Sequence, residues 1–162
     1  MKKEQQLEQA YDKYSDDIFR YCYYRLYFNR EKAKEMMQET YIKTWDYISD
    51  GNDIDNIRAF LYKTAKNLII DYHRKRKEDS LDNFLEEGVQ FASKSEKLDK
   101  KLDAEKYKQM IEQLDDKYQE VIMLRYIEEL KPKEIAEIID ETPNVVSVRI
   151  HRGLEKLRQI IE

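Results

Sequence analysis

Glycine and proline are scarce in this chain: its 162 residues hold 3 Gly and 2 Pro, too few for the turns that hairpin-built β folds require. Cysteine is scarcer still. Cys22 stands alone, which excludes an internal disulfide, and no Cys/His cluster has the spacing of a zinc site. No apolar run approaches the ~20 residues that span a bilayer. The opening MKKEQQLEQAYDKY lacks the apolar stretch of a signal peptide. No membrane insertion is therefore expected, and the chain reads as soluble, cytoplasmic and reduced. The two histidines, His73 and His151, lie far apart, and there is no Gly-rich phosphate loop. No catalytic constellation can be assembled from such parts, so an enzyme is not expected and neither a cofactor nor a metal is called for.

What the chain has in abundance is charge, 40% of its residues, with 34 acids against 30 Lys and Arg. The signs are unevenly spread. Residues 1–77 carry 16 basic and 13 acidic side chains, residues 78–104 carry 4 and 8, and residues 105–162 carry 10 and 13. The middle piece, EDSLDNFLEEGVQFASKSEKLDKKLD, has little apolar periodicity and reads as a tether with a helical turn at either end. The expected architecture is all-α: a helical domain over 1–78, a flexible acidic linker over 79–104 and a second helical domain over 105–162.

In the first domain, LEQAYDKYSDDIFRYCYYRLYF places Tyr and Phe at helical spacing, as the core of a small bundle does. Asn29 is expected to cap a helix whose inner stripe is Ala33, Met36 or Met37, Thr40 or Tyr41, Thr44 and Tyr47 or Ile48. SDGND then breaks the helix, and Asp55 or Asn56 caps the next. Between Arg58 and Lys77 that next helix holds seven basic residues and a single acid, Asp71. At 100° per residue Ile57, Leu61, Ala65, Leu68 and Tyr72 form its apolar side, with Asp71 toward the apolar edge. Arg58, Tyr62, Lys63, Lys66, Asn67, His73, Arg74 and Lys77 form the other side. A solvated face normally mixes both signs, whereas a field of one sign along a helix suits a phosphate backbone. Phe60 and Tyr62 offer rings on which unpaired bases could stack.

Near the C-terminus, PKEIAEII and the helix after DET both open with proline at the first helical position, where a missing N–H costs nothing. Thr142 is the expected cap of the second, and Asp140 tolerates the left-handed turn that a glycine would otherwise supply. Val146, Ile150, Gly153, Leu157 and Ile161 make that helix's buried stripe. Asn144, Ser147, Val148, His151 and Arg152 point away, flanked by Arg149 and Lys156. A short helix, a turn and a helix with a small polar start and basic flanks have the layout of a helix-turn-helix, whose second helix enters the major groove.

Three blocks, KEMMQETYIKTWDYI, IRAFLYKTAKNLIIDYHRKRK and YQEVIMLRYIEELKPKEIAEIIDETPNVVSVRIHRGLEKLR, resemble in this order the conserved blocks of bacterial sigma-70 factors. The chain is similar to the extracytoplasmic-function (ECF) subgroup, which keeps only regions 2 and 4. The resemblance implies a protein that binds core RNA polymerase, directs it to promoter DNA and opens the duplex, with an anti-sigma factor as a further partner. It implies polymerase docking by Gln38, Glu39, Lys43 and Asp46, with Trp45 given to packing. It implies capture of the unpaired −10 strand by the SDGND loop and the basic face of residues 58–77, and −35 recognition by the helix from Thr142. Phe60 stands where many members have Trp, Thr64 where an aliphatic residue is usual, and Ser147 at a position often basic. Two rivals of other classes stay open at this point: a helix-turn-helix regulator that needs no polymerase core, and a sigma-like decoy for an anti-sigma protein. The chain has no long C-terminal extension, so no fused sensor is expected.

Overall fold

The structure is a computed structural model that describes residues 2–87, 106 and 108–161. Among these residues the regular elements are all helices, without a strand. Three helices make the first unit: α1 (Lys3–Arg25), α2 (Arg30–Ser49) and α3 (Ile57–Glu87). The second unit contains α4 (Asp116–Ile122), a π-helical turn (Met123–Ile127), α5 (Pro132–Ile139) and α6 (Pro143–Ile161). α3 runs past residue 78 into the stretch expected as linker, and residues 88–104 of that stretch lie outside the described residues.

The helix boundaries follow local chemistry. The Asn29 side chain accepts from the Lys32 N–H at 3.0 Å, satisfying an otherwise orphaned donor at the start of α2. Of the two candidates for α3 it is Asn56 that caps, accepting from the Ala59 N–H at 3.1 Å. Thr142 caps α6 by accepting from the Val145 N–H at 3.2 Å. Asp140 ends α5 at φ 58°, the left-handed conformation that its short polar side chain tolerates. Between α1 and α2 the chain reverses through Tyr27 (φ 55°) and Phe28 (φ 66°), two bulky residues in the same sparsely populated region.

The α2 stripe is buried as spaced: Ala33, Met36, Met37, Thr40, Tyr41, Thr44 and Ile48 face inward, while Tyr47 is exposed. Thr40 and Thr44 donate to the Met36 and Thr40 carbonyls at 2.7 Å each, so neither hydroxyl is left unpaired in the core. In α6, Val146, Ile150 and Gly153 are buried, and Leu157 is half-buried. Ile161, expected in that stripe, is exposed at the end of the helix. Gly153 lets α6 approach α4 closely: a Cβ there would lie 3.0 Å from Ile122 Cγ1 and 3.5 Å from Tyr118 Cβ.

The units are packed against each other. Buried residues from both, among them Tyr21, Leu61, Tyr62 and Ile69 from the first and Leu124, Leu130, Ile138 and Ile139 from the second, belong to one apolar cluster. The charge segmentation led to an expectation of separate cores, and the physical reason for the difference is complementarity. The first unit's basic residues meet acids of the second across this surface.

Candidate nucleic-acid interface

α3 is held by α1 and α2 on one side and by α5 on another. Leu61, Tyr62, Ala65 and Ile69 are consequently its buried residues, with Leu68 and Tyr72 partly buried against the core. The apolar stripe is thus rotated relative to the periodicity reading, and Ile69 joins it. Tyr62, expected on the open face, is wholly enclosed; its hydroxyl donates to Glu128 Oε1 at 2.7 Å. Burial, and then the neighbouring Glu128 carboxylate, pushes the Tyr62 phenol far above its usual range. A base cannot stack on this ring while the second unit covers it.

Glu128 itself has no exposed side-chain surface. Besides the Tyr62 hydroxyl it receives Arg20, whose Nε and Nη2 donate to its two oxygens at 2.9 and 2.8 Å. This two-pronged geometry is the strong form of a charge-assisted pair. The hydrogen bonds to Glu128 hold the Arg20 guanidinium firmly in its charged form. Glu128 follows directly on the π-helical turn, where its N–H donates to the Met123 carbonyl at 3.0 Å.

Around this centre lies a rim of exposed pairs. Arg58 Nη1 reaches Glu134 Oε2 at 3.3 Å, Lys63 Nζ reaches Asp140 Oδ1 at 2.7 Å, and the Asn56 amide donates to Glu137 Oε2 at 3.1 Å. Arg58 and Lys63, expected to be free for DNA, are therefore each engaged with a carboxylate of α5 or of the turn after it. On the far side Arg25, wholly buried, donates to the Gln119 side chain.

His73 is half-buried, with Nε2 donating to the Arg25 carbonyl at 2.9 Å. Burial lowers its pKa, so it is a neutral structural donor and not the open-face contact expected. Asp71, expected near the apolar edge, is exposed and pairs with Arg74 at 3.3 Å.

What remains open on α3 is a stripe of Asn67, Arg74 and Lys77, exposed at helical spacing, with Lys66 half-buried at its inner margin. A second open surface lies on α6. Asn144, Ser147, Val148, His151 and Arg152 are exposed there, as is Lys156. Arg149 is half-buried and pairs with Glu141 at 3.4 Å; His151 Nε2 lies 3.1 Å from Glu155. A third open surface lies on α2, where Gln38, Lys43 and Asp46 are exposed and Glu39 is half-exposed. Among them Ile42 is an exposed aliphatic side chain. Trp45, assigned to packing, is half-buried along a groove of about 410 Å³ between α1 and α2, lined also by Leu7, Tyr11 and Tyr41. Arg20, Arg25 and Glu128 had no signal in the sequence, since an isolated charge at a helical position reads as solvated.

Among the described residues no group of His, Cys, Asp and Glu is placed to hold a metal ion, and no helix is long and apolar enough to cross a membrane. Burial pushes the Cys22 thiol up to about 12, which makes it an inert core residue.

Comparison with known proteins gives this geometry its frame. Residues 10–78 match the sigma-70 region 2 family, and residues 104–157 match sigma-70 region 4. The ECF RNA polymerase sigma factor SigW of Bacillus subtilis is 35% identical over 165 residues, covering 91% of this chain and 84% of that protein. RNA polymerase sigma factor SigV of the same organism is 31% identical over 140 residues, covering 84% and 82%. Among solved structures, the sigma factor RpoE of Bartonella quintana, in complex with the anti-sigma factor NepR, superposes with a TM-score of 0.74 at 19% identity, over 97% of each chain. CnrH in complex with the cytosolic domain of CnrY gives 0.72 at 18% identity, over 98% of this chain and 88% of that one. With both regions matched in order and relatives above 30% identity along nearly the whole length, the chain belongs to the sigma-70 family of RNA polymerase sigma factors, in its ECF subgroup.

Proposed function

We propose that the chain acts in the cytoplasm as a non-enzymatic initiation factor, with its three open surfaces dividing the work. Gln38, Glu39, Lys43 and Asp46 dock on core RNA polymerase, with Ile42 as an apolar contact among them. Lys66, Asn67, Arg74 and Lys77 hold the unpaired −10 strand, joined by Arg58 and Lys63 once their acidic partners withdraw. Asn144, Ser147, Val148 and His151 read −35 base edges, and Arg149, Arg152 and Lys156 hold the flanking phosphates. The units are bounded at 1–78 and 105–162, with 79–104 between them and α3 crossing the first boundary. An anti-sigma protein is the proposed inhibitory partner.

The observation that carries this proposal is the separation of two DNA-suited surfaces by chemistry. One is a stripe dominated by cations without base-reading geometry, which suits a phosphate backbone. The other is a helix with small polar residues in its exposed first turns, which suits a major groove. A helix-turn-helix regulator would need only the second. Transcription by core polymerase on a promoter library, with and without the chain, tests the proposal. Specific initiation in its presence is expected; duplex binding without any initiation would favour the simple regulator.

A further inference from the structure

The outward face of α6 carries one residue whose chemistry differs from the rest. Asn144, Ser147, His151 and Arg152 offer polar or charged groups, and among them stands Val148, 40% exposed. It belongs neither to the apolar cluster nor to the partly buried residues packed against it. Folding gives no reason for it, since an exposed valine on a helix is less favourable than alanine: its β-branched side chain loses rotamer freedom. Val146 and Ile150 are buried two residues to either side, so the helix turns Val148 away from the core. It stands in the second turn of α6, with Asn144 one turn before it and Arg152 one turn after. The cations of this face come later or are engaged, Arg149 with Glu141 at 3.4 Å. Between Asn144 and Val148 there is no lysine or arginine to reach guanine O6 and N7.

We propose that Val148 is a specificity-determining residue that reads the 5-methyl group of a thymine in the −35 duplex. A valine side chain neither donates nor accepts a hydrogen bond, so it has nothing to offer an amino or carbonyl edge. The apolar group that the standard base pairs present in the major groove is the thymine methyl. Contact between the two removes both from water. Any other base at this place would have a polar edge desolvated against valine without a partner. Asn144 lies about 6 Å earlier along the helix axis, roughly two base steps, and its amide suits an adenine edge. The first two turns of α6 therefore select A·T pairs, and they reject G·C pairs by desolvation and not by charge. This inference rests on the assignment of α6 to the −35 duplex and adds to it the base chemistry that the helix recognises.

Deoxyuridine tests the contact, because it lacks the thymine methyl and keeps the pairing edge. Core polymerase carrying the full chain is first used to enrich −35 sequences from a randomised duplex. Each thymine of the enriched sequence is then replaced singly by deoxyuridine, and holoenzyme binding is measured at one fixed salt concentration. For the native chain, affinity should fall about threefold to tenfold at one thymine and less than about twofold at the others, as loss of one buried methyl requires. Val148→Ser should bind the enriched sequence about as weakly as the native chain binds that one deoxyuridine duplex, and should be indifferent to the replacement. Val148→Thr keeps one methyl and should retain part of the sensitivity. Asn144→Ala should weaken binding yet keep the full deoxyuridine effect, which separates a methyl contact from a general loss of affinity. All three side chains are exposed, so the melting temperatures of the variants should match the native value closely. A deoxyuridine effect of equal size in the native and Val148→Ser proteins would overturn the proposal, as would the absence of any sensitive thymine; in both cases the enriched sequence would leave α6 standing as the −35 reader. Failure to enrich any sequence would overturn that reading, and the role of Val148 with it.

Discussion

Tyr62 and His73 are the two residues at which burial and DNA contact come apart most sharply. Tyr62→Phe removes one hydrogen bond to a buried carboxylate and should cost roughly 1.5–3 kcal/mol of stability. Tyr62→Ala also empties an enclosed ring site and should cost roughly 3–5 kcal/mol. Urea denaturation of both variants measures the difference. If both changes were nearly neutral, the packing of the two units as described would be wrong. His73 makes a pH prediction. Its folded pKa lies below the unfolded value of about 6.5. The unfolded chain therefore takes up the proton first, and stability present above about pH 6.5 is lost as the pH falls toward the folded value. His73→Asn can keep a donor to the Arg25 carbonyl without titrating, so its melting temperature should fall less between pH 7.5 and 5.5 than that of the native chain. Parallel curves would exclude His73 as a source of the pH dependence. Neither residue's place was legible in the sequence. Helical periodicity locates one apolar stripe, whereas Tyr62 is covered by a unit that begins more than forty residues further on, and His73 is held by a backbone carbonyl, which has no sequence signature.

At the scale of the element the sequence was far more legible. The caps Asn29, Asn56 and Thr142 and the left-handed Asp140 are local devices, fixed by residues within a turn of one another, and each acts where the residue types indicate. The α2 stripe was legible for the same reason. α3 was not, because it is packed on two sides, and a doubly packed helix loses the single stripe on which periodicity depends. Gly153 matters through distance: the added Cβ of Gly153→Ala would sit 3.0 Å from Ile122. The gain in helix propensity, about 1 kcal/mol, offsets most of that crowding, so stability should move by no more than about 1 kcal/mol. Gly153→Val adds further bulk at the same place and should destabilise by roughly 1–3 kcal/mol; equal stability of native, Ala and Val proteins would mean that α6 does not approach α4 so closely. On the opposite face Arg152→Ala should weaken binding to all −35 sequences alike and flatten the salt dependence, as loss of one phosphate contact does. A switch in sequence preference measured on a set of −35 duplexes would instead make Arg152 a base reader.

For the molecule as a whole, family comparison bears out two sigma-70 regions joined in order. The apposition of the two was not legible. It depends on which acids face which cations after folding, and Glu128 reads no differently from Glu129 in the sequence. That apposition also changes which residues can test the strand-capture stripe. Lys63 is tied to Asp140, so its replacement would loosen the units and remove a cation at once. Lys66 lies near the buried Glu120 of the second unit, whereas Arg74 is exposed and pairs with Asp71 of its own helix; Lys66, Arg74 and Lys77 together still give a cleaner reading than Lys63. The most direct measurement is transcription by core polymerase carrying the Lys66→Ala, Arg74→Ala, Lys77→Ala protein, on duplex and premelted forms of one promoter. Three lost cations weaken a salt-dependent hold on the strand without touching the core. Output should fall about tenfold or more on the duplex and stay low on the premelted template, because opening the duplex in advance does not restore capture. Native output on both templates would contradict the assignment, leaving residues 66–77 as an ordinary solvated face.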